Sequence, residues 1–193
     1  MIIGLCGQAG CGKSTAAAFL EREGFVPLAL AAPLYEALAA ITGLSVETLQ
    51  DRAAKELPLP GIGRSPRYLL QTLGTEWGRG MVSQTIWIDR LMRQVEHWTA
   101  CGRSVTVCDV RFNDEAEAII AAGGKIWRIY REEHWIGGEA ARHSSEAGID
   151  ERYISRRIYN RGDLAAFEGQ VMTALAAERH SDRLLNVTMQ KDL

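Results

Sequence analysis

What the sequence lacks narrows it first. Its 22 lysines and arginines nearly balance 24 aspartates and glutamates, leaving a net charge of −2 over 193 residues. That is no basic footprint for nucleic acid, and it argues against a DNA-binding ATPase. No apolar run approaches the ~18 residues of a membrane span. The start also lacks the charged-then-apolar pattern of a signal peptide. A cytoplasmic protein with neither a membrane nor a nucleic-acid partner is expected. The cysteines at 6, 11, 101 and 108 form no CxxC pair, and the histidines at 97, 134, 143 and 180 stand at no ligand spacing to them. Structural thiols are expected there, not a metal site. Neither an NKxD sequence nor a DxxG step after a strand is present, which disfavours a GTPase switch.

What is present begins at Gly7-Gln8-Ala9-Gly10-Cys11-Gly12-Lys13-Ser14, a GxxxxGKS segment. It follows a compact apolar run suited to a buried parallel strand and precedes an alanine-rich stretch suited to a helix. Glycines here permit backbone angles and approaches that a side chain would block, so successive N–H groups can turn toward phosphate oxygens. Gly10, Gly12, Lys13, Ser14 and Thr15 are therefore the expected triphosphate-binding residues. Lys13 adds a mobile cation, Ser14 a hydroxyl for Mg2+, and the helix directs its positive end at the anion. Because Cys11 lies inside this loop, alkylating it is expected to block nucleotide binding.

Five β-like runs (2–6, 25–30, 105–109, 125–131 and 157–160) alternate with helical stretches at 14–23, 33–42, 66–74, 86–100, 114–122 and 163–178. Such alternation predicts an α/β domain, a parallel sheet covered on both faces. One domain over 1–193 is expected, with its core at 1–32, 101–131 and 153–193. Residues 33–100 exceed what one crossover helix needs and read as a helical, acceptor-binding insertion. Residues 132–152 are polar, carry Gly137-Gly138 with Arg142 and His143, and read as a lid. Phosphoryl transfer needs both devices, one to hold the acceptor and one to exclude water.

In the run from Ser65 to Arg79, Ser65 caps and Pro66 opens a helix whose apolar stripe is Leu69, Leu70 and Leu73. Arg67, Gln71 and Thr75 recur every four residues on another face, a cation and an amide suited to an acceptor phosphate and a base edge. Asp109 ends an apolar strand, where a carboxylate can reach a Mg2+ shell or the acceptor. Arg111, Asn113 and Glu115 follow at once. Arg131 ends the fourth strand at the lid, where a guanidinium could stabilise the moving phosphoryl group or stack on adenine.

These residues together resemble the deoxynucleoside monophosphate kinases of tailed bacteriophages, relatives of the adenylate kinase group. The likeness runs through Ala32-Pro33-Leu34, the PRYLLQTLGTEWGR run, Ile86-Trp87-Ile88, Asp109-Val110-Arg111 with Glu115, and Gly123-Gly124 before the strand ending in Arg131. It continues through His143-Ser144-Ser145-Glu146-Ala147-Gly148 and Asn160-Arg161-Gly162-Asp163-Leu164. The resemblance implies a three-layer P-loop kinase fold with strand order 2-3-1-4-5. It also implies that Arg67, Gly74, Trp87, Asp109, Arg111 and Glu115 line the acceptor nucleotide site. The family often carries a lysine after its Pro-Leu step; here that position is Tyr35, so no phosphate contact is carried over to it.

The expected reaction is ATP plus a (deoxy)nucleoside monophosphate giving ADP plus the diphosphate. Lys13, Arg111 and Arg131 are the expected catalytic residues, with Ser14 and Asp109 as Mg2+ ligands. The acceptor phosphate is already ionised, so charge neutralisation and in-line alignment replace a general base. The alternatives are another small-metabolite kinase on the same scaffold, for dephospho-coenzyme A or a sugar acid, and a nucleotide-binding switch module. The oligomeric state stays open, a homodimer among the options, as do the bases accepted and the discrimination between ribose and deoxyribose.

Overall fold

The structure, a computed structural model, describes residues 1–51, 53–131 and 148–189. Its centre is β1 (Ile2–Cys6), whose five residues are all buried. It is flanked in parallel by β3 (Val105–Val107) and β4 (Lys125–Tyr130), with β2 (Val26–Leu28) and β5 (Ile154–Tyr159) at the edges. The order is β2-β3-β1-β4-β5, as the resemblance implies. A strand buried on both faces needs apolar side chains throughout, and IIGLC supplies them. Ile3 and Leu5 pack with Phe19, Trp127 and Phe167 under α1 (Lys13–Arg22) and α7 (Leu164–Met189). Ile2 and Cys6 pack with Leu91, Val95 and Ile119 under α5 (Ile86–Ala100) and α6 (Asn113–Ala121). The three layers follow from this alternation.

A separate cluster of Leu34, Leu38, Leu49 and Leu70 binds α2 (Ala32–Thr42), α3 (Val46–Gln50) and α4 (Pro66–Gln71) into a unit beside the sheet. Ser65 caps α4 by accepting from the Tyr68 amide at 3.3 Å, with Pro66 in the first turn, as its sequence requires. The α-helix expected to reach residue 74 stops at Gln71 and continues as a π-helix, Thr72–Val82, closed by the Ser83 amide donating to the Gly78 carbonyl at 3.0 Å. Gly74 and Gly78 weaken the α register here. Trp87, on α5, uses the space at Gly78, where a Cβ would lie 2.5 Å from the indole ring, and Leu34 uses that at Gly74, where a Cβ would lie 2.9 Å from its Cδ1.

β5 begins three residues earlier than its sequence suggests, because Ser155, Arg156 and Arg157 interrupt the apolar pattern on an edge strand. β3 ends at Val107, which leaves Asp109 in the turn beyond the strand. The expected lid falls largely at 132–147, outside the described residues, as do Arg142 and His143; from Gly148 onward the chain leads through a short 3-10 turn, Glu151–Tyr153, into β5. Since β1 is flanked by strands reached in opposite directions, the crevice of the sheet opens at its carboxyl end. The glycine-rich loop lies there.

Candidate active site

Two cavities meet at that edge. The first surrounds the glycine-rich loop between β1 and α1. Gly7 and Gly12 have φ of 135° and 113°, which L side chains rarely adopt. A Cβ on Gly7 would lie 2.4 Å from the Ile129 carbonyl oxygen, and one on Gly12 2.6 Å from Asn160 Nδ2. Asn160 donates from that nitrogen to the Cys11 carbonyl at 2.9 Å, tying the loop to the end of β5. Gly12 is also the N-cap of α1 and supplies no side-chain cap, so the amides of the first turn are available to an anion. Lys13 Nζ folds across the loop and donates to the carbonyls of Gly7 at 2.6 Å and Gln8 at 2.9 Å.

Gly7, Gln8, Lys13, Arg111 and Arg131 line this cavity, with a wall from Tyr130 and Tyr159, whose rings stack at 5.3 Å. Arg128 also lines it, held by the Glu151 carboxylate and the Ile149 carbonyl. Gly10 has a φ of 80° within the loop, while Ser14 and Thr15 occupy the first turn of α1. Cys11 is buried, and burial raises its thiol pKa, so it is shielded from alkylating reagents in this conformation. Cys101 is the exposed cysteine.

The second cavity lies between α2, α4, the π-helix, α5 and the β3–α6 turn. All seven residues singled out for the acceptor line it: Arg67, Gln71, Gly74, Trp87, Asp109, Arg111 and Glu115. The ridge of Arg67, Gln71 and Thr75 faces it throughout, although the helix changes type along its length. Arg67 Nε donates to Glu56 at 2.5 Å. Trp87 presents its ring and spends its Nε1–H on the Gly74 carbonyl at 2.8 Å, which fastens the π-helix to α5. Asp109 accepts from the Leu30 and Ala31 amides at 2.8 and 2.9 Å, one on each oxygen, so it pins the β2–α2 turn to the end of β3. It lines the second cavity and not the loop cavity, where a Mg2+ ligand is expected.

Glu115 is 4% exposed. Its Oε2 accepts from the Arg111 and Phe112 amides at 2.7 and 3.1 Å, which fixes the turn that carries Arg111. Burial pushes its pKa up to about 7, against the pull of those two amides. Sequence reasoning missed three contributors. Lys55 lines the cavity with its ammonium on the Tyr35 hydroxyl and 4.9 Å from the centre of that ring, so a cation reaches position 35 from elsewhere in the chain. Arg79 reaches the cavity from the π-helix, and Phe112 lies under its guanidinium at 4.3 Å. Among the described lining residues, Arg111 is the one common to both cavities.

Comparisons with known proteins point to one family. The family of deoxynucleotide monophosphate kinases matches residues 62–171, a stretch that starts after the glycine-rich loop and carries most of the second cavity. A protein of Acanthamoeba polyphaga mimivirus, named provisionally as a deoxynucleotide monophosphate kinase, is 34% identical over 148 residues, covering 68% of this chain and 74% of its own length. The uncharacterised protein ORF77 of Ictalurid herpesvirus 1 (strain Auburn) is 33% identical over 125 residues, 64% of this chain and 54% of that protein. Among solved structures, dephospho-CoA kinase from Campylobacter jejuni superposes with a TM-score of 0.55 at 14% identity, over 94% of this chain and 98% of that one. That likeness establishes the fold, a P-loop kinase scaffold.

Proposed function

Since the chain belongs to the deoxynucleotide monophosphate kinase family and is a phosphotransferase acting on a nucleoside monophosphate, we propose that the loop cavity binds ATP and the second cavity the monophosphate. The observation that carries this reading is Arg111, which lines both cavities and so stands where a phosphoryl group would pass between them. Arg67 and Lys55 hold the acceptor phosphate, and Trp87 covers its nucleoside. Lys13 leaves the Gly7 and Gln8 carbonyls for the donor phosphates. Arg111 and Arg131 neutralise charge on the group in flight, and no general base is needed for an acceptor phosphate that is already ionised.

The loop fits a triphosphate, because its glycines turn the backbone at positive φ and the uncapped first-turn amides of α1 are available to an anion. Among the described residues no cluster of three or more His, Cys, Asp or Glu side chains is assembled for a metal. Mg2+ in such sites is bound mainly through phosphate oxygens and water. The Ser14 hydroxyl would hold it, while Asp109 lines the second cavity and pins the β2–α2 turn there. Bound Mg2+ supplies charge neutralisation at the donor phosphates. We assign the reaction to the cytoplasm, that of a host cell for a virus-encoded chain, as the viral relatives suggest. No helix among the described residues is long and apolar enough to cross a membrane.

A coupled assay at saturating Mg-ATP with a panel of monophosphates and dephospho-coenzyme A tests the reading. Turnover with monophosphates is expected, and none with dephospho-coenzyme A. The reverse pattern would overturn the acceptor assignment.

A further inference from the structure

Gly78 is not among the described residues that line either cavity, yet it stands against a wall of the second one. It is buried in the π-helix and its φ is not positive, so the backbone there does not call for glycine. Space does. A Cβ at this position would lie 2.5, 2.7 and 2.7 Å from Cζ2, Cε2 and Nε1 of Trp87, closer than such atoms approach. The same Nε1–H donates to the Gly74 carbonyl at 2.8 Å, and Trp87 and Gly74 both line the cavity.

A flexible side chain could retreat from an added methyl group, but this indole is held from two sides. Trp87 packs against the sheet-side cluster that contains Leu91 and against the cluster of Leu34, Leu38, Leu49 and Leu70 in the insertion. Interiors packed in this way transmit a displacement instead of absorbing it. A methyl group at 78 must therefore turn the indole and break its bond to Gly74, or push the π-helix, with Thr75 and Arg79, away from α5. Either movement reshapes the second cavity, while the loop cavity shares only Arg111 with it among the described lining residues. Gly80 supplies the contrast within the same helix. It is exposed, and a Cβ there would meet only the Thr75 carbonyl oxygen at 3.5 Å, an ordinary contact.

We propose that Gly78 is a positioning residue for the acceptor nucleotide: having no side chain, it lets Trp87 stand as a wall of the second cavity, and so sets acceptor affinity without touching the acceptor. This rests on the second cavity being the acceptor site. The test is steady-state kinetics of the wild type, Gly78→Ala and Gly80→Ala with dAMP, dCMP, dGMP and dTMP at saturating Mg-ATP, and with ATP varied at a saturating monophosphate. Gly78→Ala should raise KM for the monophosphate by at least about tenfold and keep KM for ATP within about twofold of wild type. Gly80→Ala should match the wild type in both. A merely structural loss would lower the amount of active enzyme and leave both KM values unchanged. Trp87→Phe, whose smaller ring leaves room at 78, should raise the acceptor KM by itself, and adding Gly78→Ala to it should cost less than about threefold more. That pair of variants decides if Gly78→Ala alone does not fold, and a further rise of about tenfold in the double variant would overturn the inference. A Gly78→Ala protein with wild-type acceptor KM, or with both KM values raised together, would also overturn it and leave the kinase assignment standing. Absence of turnover of every monophosphate by the wild type would remove the acceptor site and the inference with it.

Discussion

The loop cavity and the acceptor cavity are built in opposite ways. The loop is a continuous segment, Gly7–Ser14, whose shape is set by its own glycines and one tie from Asn160. The acceptor cavity gathers residues from α2, the 3-10 turn at Lys55, α4, the π-helix, α5 and the β3–α6 turn. Its shape depends on contacts that cross long stretches of sequence, such as Asp109 to Leu30 and Trp87 to Gly74. A contiguous loop recognises what every triphosphate shares. An assembled cavity can recognise one acceptor, because each element can vary without disturbing the others.

That contrast is broken most directly at Lys13. Its ammonium bridges the loop carbonyls here and is the cation we propose for the donor phosphates. Lys13→Ala should lower kcat by roughly three orders of magnitude, with the acceptor's Kd nearly unchanged. Steady-state kinetics beside acceptor titration would check this, and loss of acceptor binding would show that the two cavities are not separable. Arg111 is the next largest. Because it lines both cavities, Arg111→Ala should lower kcat by about a hundredfold and raise KM for both nucleotides. An effect confined to one nucleotide would place it wholly within one cavity.

The same contrast governs what could be read from the sequence. The loop was legible because its chemistry is local: eight consecutive residue types fix the turn, the cation and the hydroxyl. The strand order came from the resemblance, and the buried run of β1 agrees with it. On the acceptor side, Arg67 and Gln71 were legible as one helical ridge. Arg79 was not. It stands four residues beyond Thr75 and so continues the ridge, but the helix expected from sequence ends at residue 74, whereas the π turns that begin at Thr72 carry the helix on past Arg79, which lines the cavity. The sequence hint is the pair Gly74 and Gly78, but only the packing of Leu34 and Trp87 against them gives it meaning. Lys55 was hidden for a similar reason, because it meets Tyr35 only once α2, α3 and the turn after it have folded together.

Arg67 sharpens the comparison from the acceptor side. Its guanidinium is paired with Glu56 and lines only the second cavity. Loss of one charge-assisted contact of about 1.5–3 kcal/mol predicts a rise of roughly ten- to a hundredfold in acceptor KM for Arg67→Ala. The KM for ATP should stay within about twofold. An equal rise in both would mean that the acceptor cavity controls the loop.

Glu115 should have the smallest effect on turnover and the clearest effect on stability. Its folded pKa is raised to about 7 by burial, from an ordinary 4.5. The folded protein therefore takes up a proton that the unfolded chain does not hold between those values. The resulting stability is fully present below about pH 4.5 and is lost as pH rises through 7; the shift corresponds to about 3 kcal/mol. Arg79 from the π-helix, Asp109 and Arg111 from the β3–α6 turn and Asp114 from α6 lie around the carboxyl group. Urea unfolding of the ligand-free protein should thus show a gain in stability from pH 8 to pH 5 that Glu115→Gln lacks, since an amide is neutral throughout. If the two proteins show the same slope, the carboxylate is not held at a cost. If the difference appears, the acceptor cavity holds the ionised Glu115 at a cost, whereas the loop settles its own cation on its own carbonyls.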